Sequence, residues 1–128
     1  MQLFSIRLIA RDIKQMVQFY EQITGISAIW HTPEFAELHT PVATLAIGST
    51  NTLSLFGGNS FLRAAQNKTA IIEFKVTDVD DTFMQLSKTM QLDILQPPTT
   101  MPWGNRSLLL RDPEGNSVNL FTPPPKVS

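Results

Sequence analysis

The sequence contains no cysteine. That excludes disulfides, thiolate nucleophiles and cysteine-bound metals, and leaves no mark of an oxidising compartment. Histidine is scarce. His31 and His39 are the only two, and Pro33 stands between them, so they lack the close spacing of a metal pair on one element. Each reads as a surface or strand-end residue. Neither sign of charge dominates: 10 Lys and Arg face 11 Asp and Glu, for a formal net charge of −1. No basic field is available to hold a phosphate backbone, so no nucleic acid partner is expected. Long apolar runs are missing too. The opening MQLFSIRLIARD carries Arg7, Arg11 and Asp12, and reads as neither a signal peptide nor a membrane span. A cytoplasmic location without a membrane partner is the expectation. There is no glycine-rich phosphate loop and no GxSxG elbow, and without cysteine no nucleophile–base couple can be assembled.

What is present is a repeat. The 128 residues, 42% hydrophobic and 16% charged, suit one soluble globular domain. Within it, residues 12–56 and 78–121 read as two copies of one unit. IRLIARDIKQMVQFYEQIT matches IEFKVTDVDDTFMQLSKTM, and TLAIGSTNTLSLF matches LLLRDPEGNSVNLF. Asp12 aligns with Asp78 and Phe56 with Phe121, at nearly one offset. Repeats of this kind decide a fold before any single element does. The units run over about residues 1–57 and 70–122, joined by a polar link at 58–69.

Residues 3–10 alternate as a strand does. Asp12 reads as a helix N-cap, with Gln15 completing a capping-box-like start. Ile13, Met16, Val17, Tyr20 and Ile23 form an apolar helical stripe, and Gly25 suits the stop. Apolar runs at 26–30, 42–47 and 52–56 read as three further strands. The second unit repeats the order. Ile71–Val76 is a strand, Asp78 a cap, and Val79, Phe83, Leu86 and Met90 a helix stripe. A short strand at 92–95 leads into a Pro-rich loop, QPPTTMPWG. Strands at 106–111 and 117–121 flank DPEGN, a tight turn with a glycine bulge rather than a calcium loop. Met16, Tyr20, Phe83 and Met84 read as core, and the tail PPPKVS as extended.

The strand-Asp-helix starts, the FYE on the first helix, TDVDD on the second, and the closing PWGNRSLLLRDPEGNSVNLF together resemble the vicinal oxygen chelate superfamily. This is the glyoxalase, bleomycin-resistance and extradiol-dioxygenase group. The resemblance covers nearly the whole chain. It implies an α+β fold of tandem βαβββ repeats forming an open eight-stranded half-barrel around a cleft, commonly as a homodimer. It also implies metal-ligand positions on the first and last strand of each unit. Here those fall on Ser5, Ser54, Ile71 and Asn119. None is an imidazole or a carboxylate, so no metal and no other cofactor is expected.

The leading expectation is therefore a metal-independent small-molecule binding protein, holding an apolar or aromatic compound. A lyase, isomerase or dioxygenase of the same superfamily is one alternative, and a regulatory or interaction module another. Alternation places Arg7 with Ser5, Glu73 and Lys75 with Ile71, and Phe121 with Asn119. Arg7 and Glu73 occupy equivalent repeat positions. They read either as an ion pair bridging the units, as a ligand-binding charge pair, or with Glu73 as a general base. Trp30, His31, Phe35 and Trp103 would lie at the cavity mouth, where an indole is either ligand platform or packing. Asn105 and Arg106, after the Trp103–Gly104 turn, either donate into the cavity or fix the loop.

Overall fold

A computed structural model describes residues 1–56 and 63–125. The chain divides into two compact units, Met1–Asn67 and Lys68–Ser128. The first contains β1 (Ser5–Ala10), α1 (Ile13–Thr24), β2 (Ile29–Thr32), β3 (Phe35–His39), β4 (Thr44–Ser49) and a 3-10 helical segment, Thr50–Phe56. The second contains β5 (Ile71–Lys75), α2 (Val79–Thr89), β6 (Asp93–Thr100), β7 (Arg106–Arg111) and β8 (Ser117–Thr122). The sheet orders are β1-β4-β3-β2 and β5-β8-β7-β6. In each the first strand runs parallel to the last, and the other pairings are antiparallel. The repeat is therefore real at the level of topology: two βαβββ units, each one open four-stranded mixed sheet with one helix, making an α+β protein. No helix among the described residues is long and apolar enough to cross a membrane.

Local chemistry sets the helices. The Gln15 backbone N–H donates to Asp12 Oδ1, and that of Asp81 to Asp78 Oδ1, 3.1 Å in each case. Both aspartates are thus N-caps that satisfy a donor the helix cannot. Gly25 ends α1 in the left-handed region at φ 71°, where a side chain would be strained. α1 buries Ile13, Met16, Val17, Phe19, Tyr20 and Ile23. α2 buries only Val79 and Leu86, and Met84 is exposed rather than core, because it falls off the Val79–Leu86 stripe.

The register defines two faces on each sheet. Ala36 and Leu38 on β3 stand opposite Ile47 and Leu45 on β4, and Leu8 on β1 stands opposite Ile47. These buried side chains form the helix-side face of the first sheet. In the second, Leu108 and Leu110 pair with Leu120 and Val118, all fully buried. The alternate residues form the opposite, open faces.

Four expectations are corrected. Residues 35–39 are a strand, since Ala36 and Leu38 bury while Phe35, Glu37 and His39 face outward. Residues 52–56 are not: they belong to the 3-10 segment, which the buried Thr52 anchors by donating to the Ser49 carbonyl at 2.7 Å. β4 is thus the counterpart of β8, and Phe56 is not the equivalent of Phe121. β6 runs on through Pro97 and Pro98 to Thr100. Prolines are tolerated there because β6 is an edge strand and its pairing slips between Ile94 and Gln96 and again between Gln96 and Thr99. The link at 58–69 and the tail fall partly outside the described residues.

Candidate functional site

On the open face of the first sheet, Arg7 and Glu37 flank Ala46 in one row across β1, β4 and β3. Phe35 and Ile9 flank Gly48 in the next row. Ala46 and Gly48 are the buried floor beneath these side chains, and Thr52 of the 3-10 segment lies over Gly48. The glycine is required: a Cβ there would meet Thr52 Oγ1 at 2.9 Å, Arg7 Cδ at 3.4 Å and Phe35 Cδ2 at 3.6 Å. Over that floor the Arg7 guanidinium carbon sits 4.7 Å from the centroid of the Phe35 ring. The His31 ring lies on from Phe35, centroids 5.7 Å apart. His31 Nε2 is 2.5 Å from Glu37 Oε1, and His39 Nε2 is 3.6 Å from the same oxygen. Glu37 is the most enclosed of the three, its side chain 16% exposed. The face thus carries a continuous line: cation, phenyl ring, imidazole, carboxylate, imidazole.

Glu37 and His39 were missing from the sequence-based site. Their signal was the alternation in Phe35-Ala-Glu-Leu-His39, which places three outward residues on one face once the stretch is read as a strand. Trp30 falls elsewhere. It pairs with Ala36 on the helix-side face, and the bulge between Trp30 and Thr32 turns His31 alone toward Glu37.

The second sheet's open face carries Ile71, Glu73, Lys75, Asn119 and Phe121. Asn119 Nδ2 donates to Glu73 Oε2 at 2.8 Å, while the buried Asn119 Oδ1 has no hydrogen-bond partner among the described residues. Arg106 engages α2. Its register partner is Thr122, on the helix-side face, and its Nε and Nη2 donate to Asp80 Oδ2 and Oδ1 at 2.7 and 2.9 Å. These bonds tie β7 to the start of α2. That fork holds the Asp80 carboxyl below its ordinary value of 3.8 and holds Arg106 above its own. A depressed carboxyl contributes stability above its unfolded-state value and loses it as pH falls through the folded-state value. Asp80→Asn should therefore melt slightly below wild type at neutral pH, with the gap closing as the pH drops below 3.8. The effect is small because the pair is exposed. Melting curves across the acid range check it, and a gap independent of pH would contradict it. Trp103, 70% exposed in the turn after β6, contributes no buried packing.

The donor set implied by the family does not fit a transition metal. The β1–β4 register puts Ala46, not Ser54, at the position equivalent to Asn119, so the set becomes Ser5, Ala46, Ile71 and Asn119. It offers no imidazole and no carboxylate. Among the described residues no group of three or more His, Asp or Glu side chains is disposed to hold a metal ion.

Paired βαβββ units with a capped helix in each, and an open sheet face bearing polar and aromatic groups, define a class of two-repeat α+β protein. The sequence model of the Glyoxalase/Bleomycin resistance protein/Dioxygenase superfamily matches residues 2–120, and the chain belongs to that superfamily. It is 29% identical over 126 residues to the uncharacterized protein YraH of Bacillus subtilis (strain 168), covering 94% of this chain and 98% of that one. Among solved structures, a glyoxalase/bleomycin resistance protein/dioxygenase family enzyme from Burkholderia phytofirmans PsJN superposes with a TM-score of 0.84 at 20% identity, over 95% of this chain and 98% of that one. A lactoylglutathione lyase from Agrobacterium tumefaciens superposes with a TM-score of 0.73 at 20% identity, over 94% and 92%. At such identities these structures share the fold.

Proposed function

We propose that the protein is a metal-independent binder of small molecules, with the ligand seated on the open face of the first sheet. One observation carries this reading: Arg7, Phe35, His31 and Glu37 form an unbroken line of contacts over the floor made by Ala46 and Gly48. A face that serves only packing has no need of a cation, a carboxylate and two imidazoles. A binding face needs a few placed polar groups beside aromatic surface. The donor chemistry of Ser5, Ala46, Ile71 and Asn119 supports the metal-independent part. Exposed Ile6 and Ile71 on the edge strands β1 and β5 support a homodimer.

Calorimetric titration of chelator-treated protein with a panel of small aromatic carboxylates tests the reading. Binding is expected without added metal. Arg7→Met should weaken it by about 1.5–3 kcal/mol, the value of a hydrogen bond to a charged group. Binding that requires a transition metal would overturn it, as would affinities unchanged in Arg7→Met.

A further inference from the structure

Glu37 is an enclosed carboxylate whose ionic partners among the described residues are two imidazoles. Both imidazoles address one oxygen: His31 Nε2 lies 2.5 Å from Oε1, and His39 Nε2 lies 3.6 Å from it. A carboxylate accepts and has no donor, so His31 gives its Nε2–H to Oε1. An imidazole that donates in its neutral form orients the carboxylate and leaves its charge in place. A partly enclosed charge without an opposite charge is costly, and a cation removes that cost. The second oxygen, Oε2, has no hydrogen-bond partner among the described residues. Asn119 Oδ1 is the one buried unpartnered side-chain atom among them, so Glu37 Oε2 is open to solvent. Apolar surface borders it. Ile29 stands opposite Glu37 in the β2–β3 register, on the same face, and is 47% exposed. Phe35 lies two residues along β3, with the His31 ring tilted beside it. The Arg7 guanidinium is engaged in the neighbouring row, over the Phe35 ring.

We propose that the outer edge of this face, between β2 and β3, is a site for an organic cation: a primary ammonium on an apolar body. The ammonium donates to Glu37 Oε2 and meets its charge, and the apolar body lies along Ile29. Arg7, Ala46 and Gly48 take no part. The site adjoins the one read above and does not depend on it, because carboxylates test that reading and amines test this one. Two properties of the ligand are required together. A fully alkylated cation brings the charge without an N–H for Oε2. An alcohol brings the donor without the charge. A hydrogen bond between two charged groups is shorter and stronger than either substitute.

The test uses three probes that share one ring, with the full-length protein at neutral pH: benzylamine, benzyl alcohol and benzyltrimethylammonium. Amide NMR titration reads both affinity and place. Benzylamine is expected to bind at least about tenfold tighter than benzyl alcohol, the step set by one hydrogen bond between charged groups. It should also bind tighter than benzyltrimethylammonium, with shifts gathered on Ile29, His31, Glu37 and His39. Glu37→Gln keeps the size of the side chain and an acceptor for His31 but removes the charge. It should weaken benzylamine at least about tenfold and leave benzyl alcohol unchanged. Ile29→Ser, at an exposed position, should weaken benzylamine and benzyl alcohol alike. Equal affinity for benzylamine and benzyl alcohol would overturn the proposal. So would indifference of benzylamine to Glu37→Gln, or shifts gathered on other residues. Circular dichroism checks both variants. If Glu37→Gln does not fold, the wild-type protein decides: benzyltrimethylammonium binding as tightly as benzylamine, or tighter, overturns the proposal.

Discussion

Asp112→Ala lowers stability by about 2–5 kcal/mol, the largest single loss expected outside the apolar core. Asp112 is 4% exposed. Its Oδ1 accepts from the backbone N–H groups of Glu114 and Asn116, both at 2.9 Å, and its Oδ2 accepts from Asn116 Nδ2 at 2.8 Å. Asn116, also 4% exposed, would be left with donors in a buried place. The consequence reaches beyond the turn. The Asp112 N–H donates to the Asn116 carbonyl at 2.9 Å, which closes the β7–β8 hairpin, and Gly115 supplies the positive φ of 86° that the bulge needs. β8 is the strand that pairs in parallel with β5, so a loosened turn weakens the seating of Glu73 beside Asn119. Asp112→Asn keeps both acceptor bonds at Oδ1 and sets only two amide groups against each other, so its loss should be clearly smaller. Urea denaturation of the two variants measures this. An Asp112→Ala protein within about 0.5 kcal/mol of wild type would show that the turn does not depend on the carboxylate.

Gly48→Ala comes next, with an expected loss of about 1–3 kcal/mol from overpacking. The new methyl would stand 2.9 Å from Thr52 Oγ1. Thr52 is buried, and its hydroxyl donates to the Ser49 carbonyl at 2.7 Å, so it cannot swing aside without breaking that bond. The other neighbours are Arg7 at 3.4 Å and Phe35 at 3.6 Å, both members of the proposed binding face. Stability and ligand affinity should therefore fall together in this variant. Denaturation and titration on the same preparation check the coupling. A stable Gly48→Ala protein with unaltered affinity would mean that the floor tolerates a side chain and that Arg7 and Phe35 do not depend on it.

Much of this fold was legible in the residues because the signals were local. Asp12 and Asp78 announce both helices, Gly25 ends one, and Asp112-Pro-Glu-Gly-Asn116 forces a turn. β3 was hidden because Glu37 and His39 alternate with only two apolar residues, Ala36 and Leu38, between turn-like neighbours. The 3-10 segment looked like a strand because Leu53, Leu55 and Phe56 resemble the end of β8, and only the tertiary packing of Thr52 and Leu53 tells them apart. The error at β3 hid Glu37, and with it the acidic end of the proposed site. Arg7, His31 and Phe35, singled out from the sequence, lie together on one face of the first sheet. The sides of the sheet taken by Trp30 and Arg106 were not, because both follow from strand register and, at Trp30, from a one-residue bulge.

The most direct measurement is an amide NMR titration of chelator-treated, isotope-labelled protein with the best carboxylate of the panel. The account predicts shifts centred on Arg7, His31, Phe35, Glu37, Ala46 and Gly48, with no metal added and none of that pattern in Arg7→Met. Shifts that appear only after zinc, nickel or manganese is supplied, or that gather on residues away from the open face of the first sheet, would contradict it.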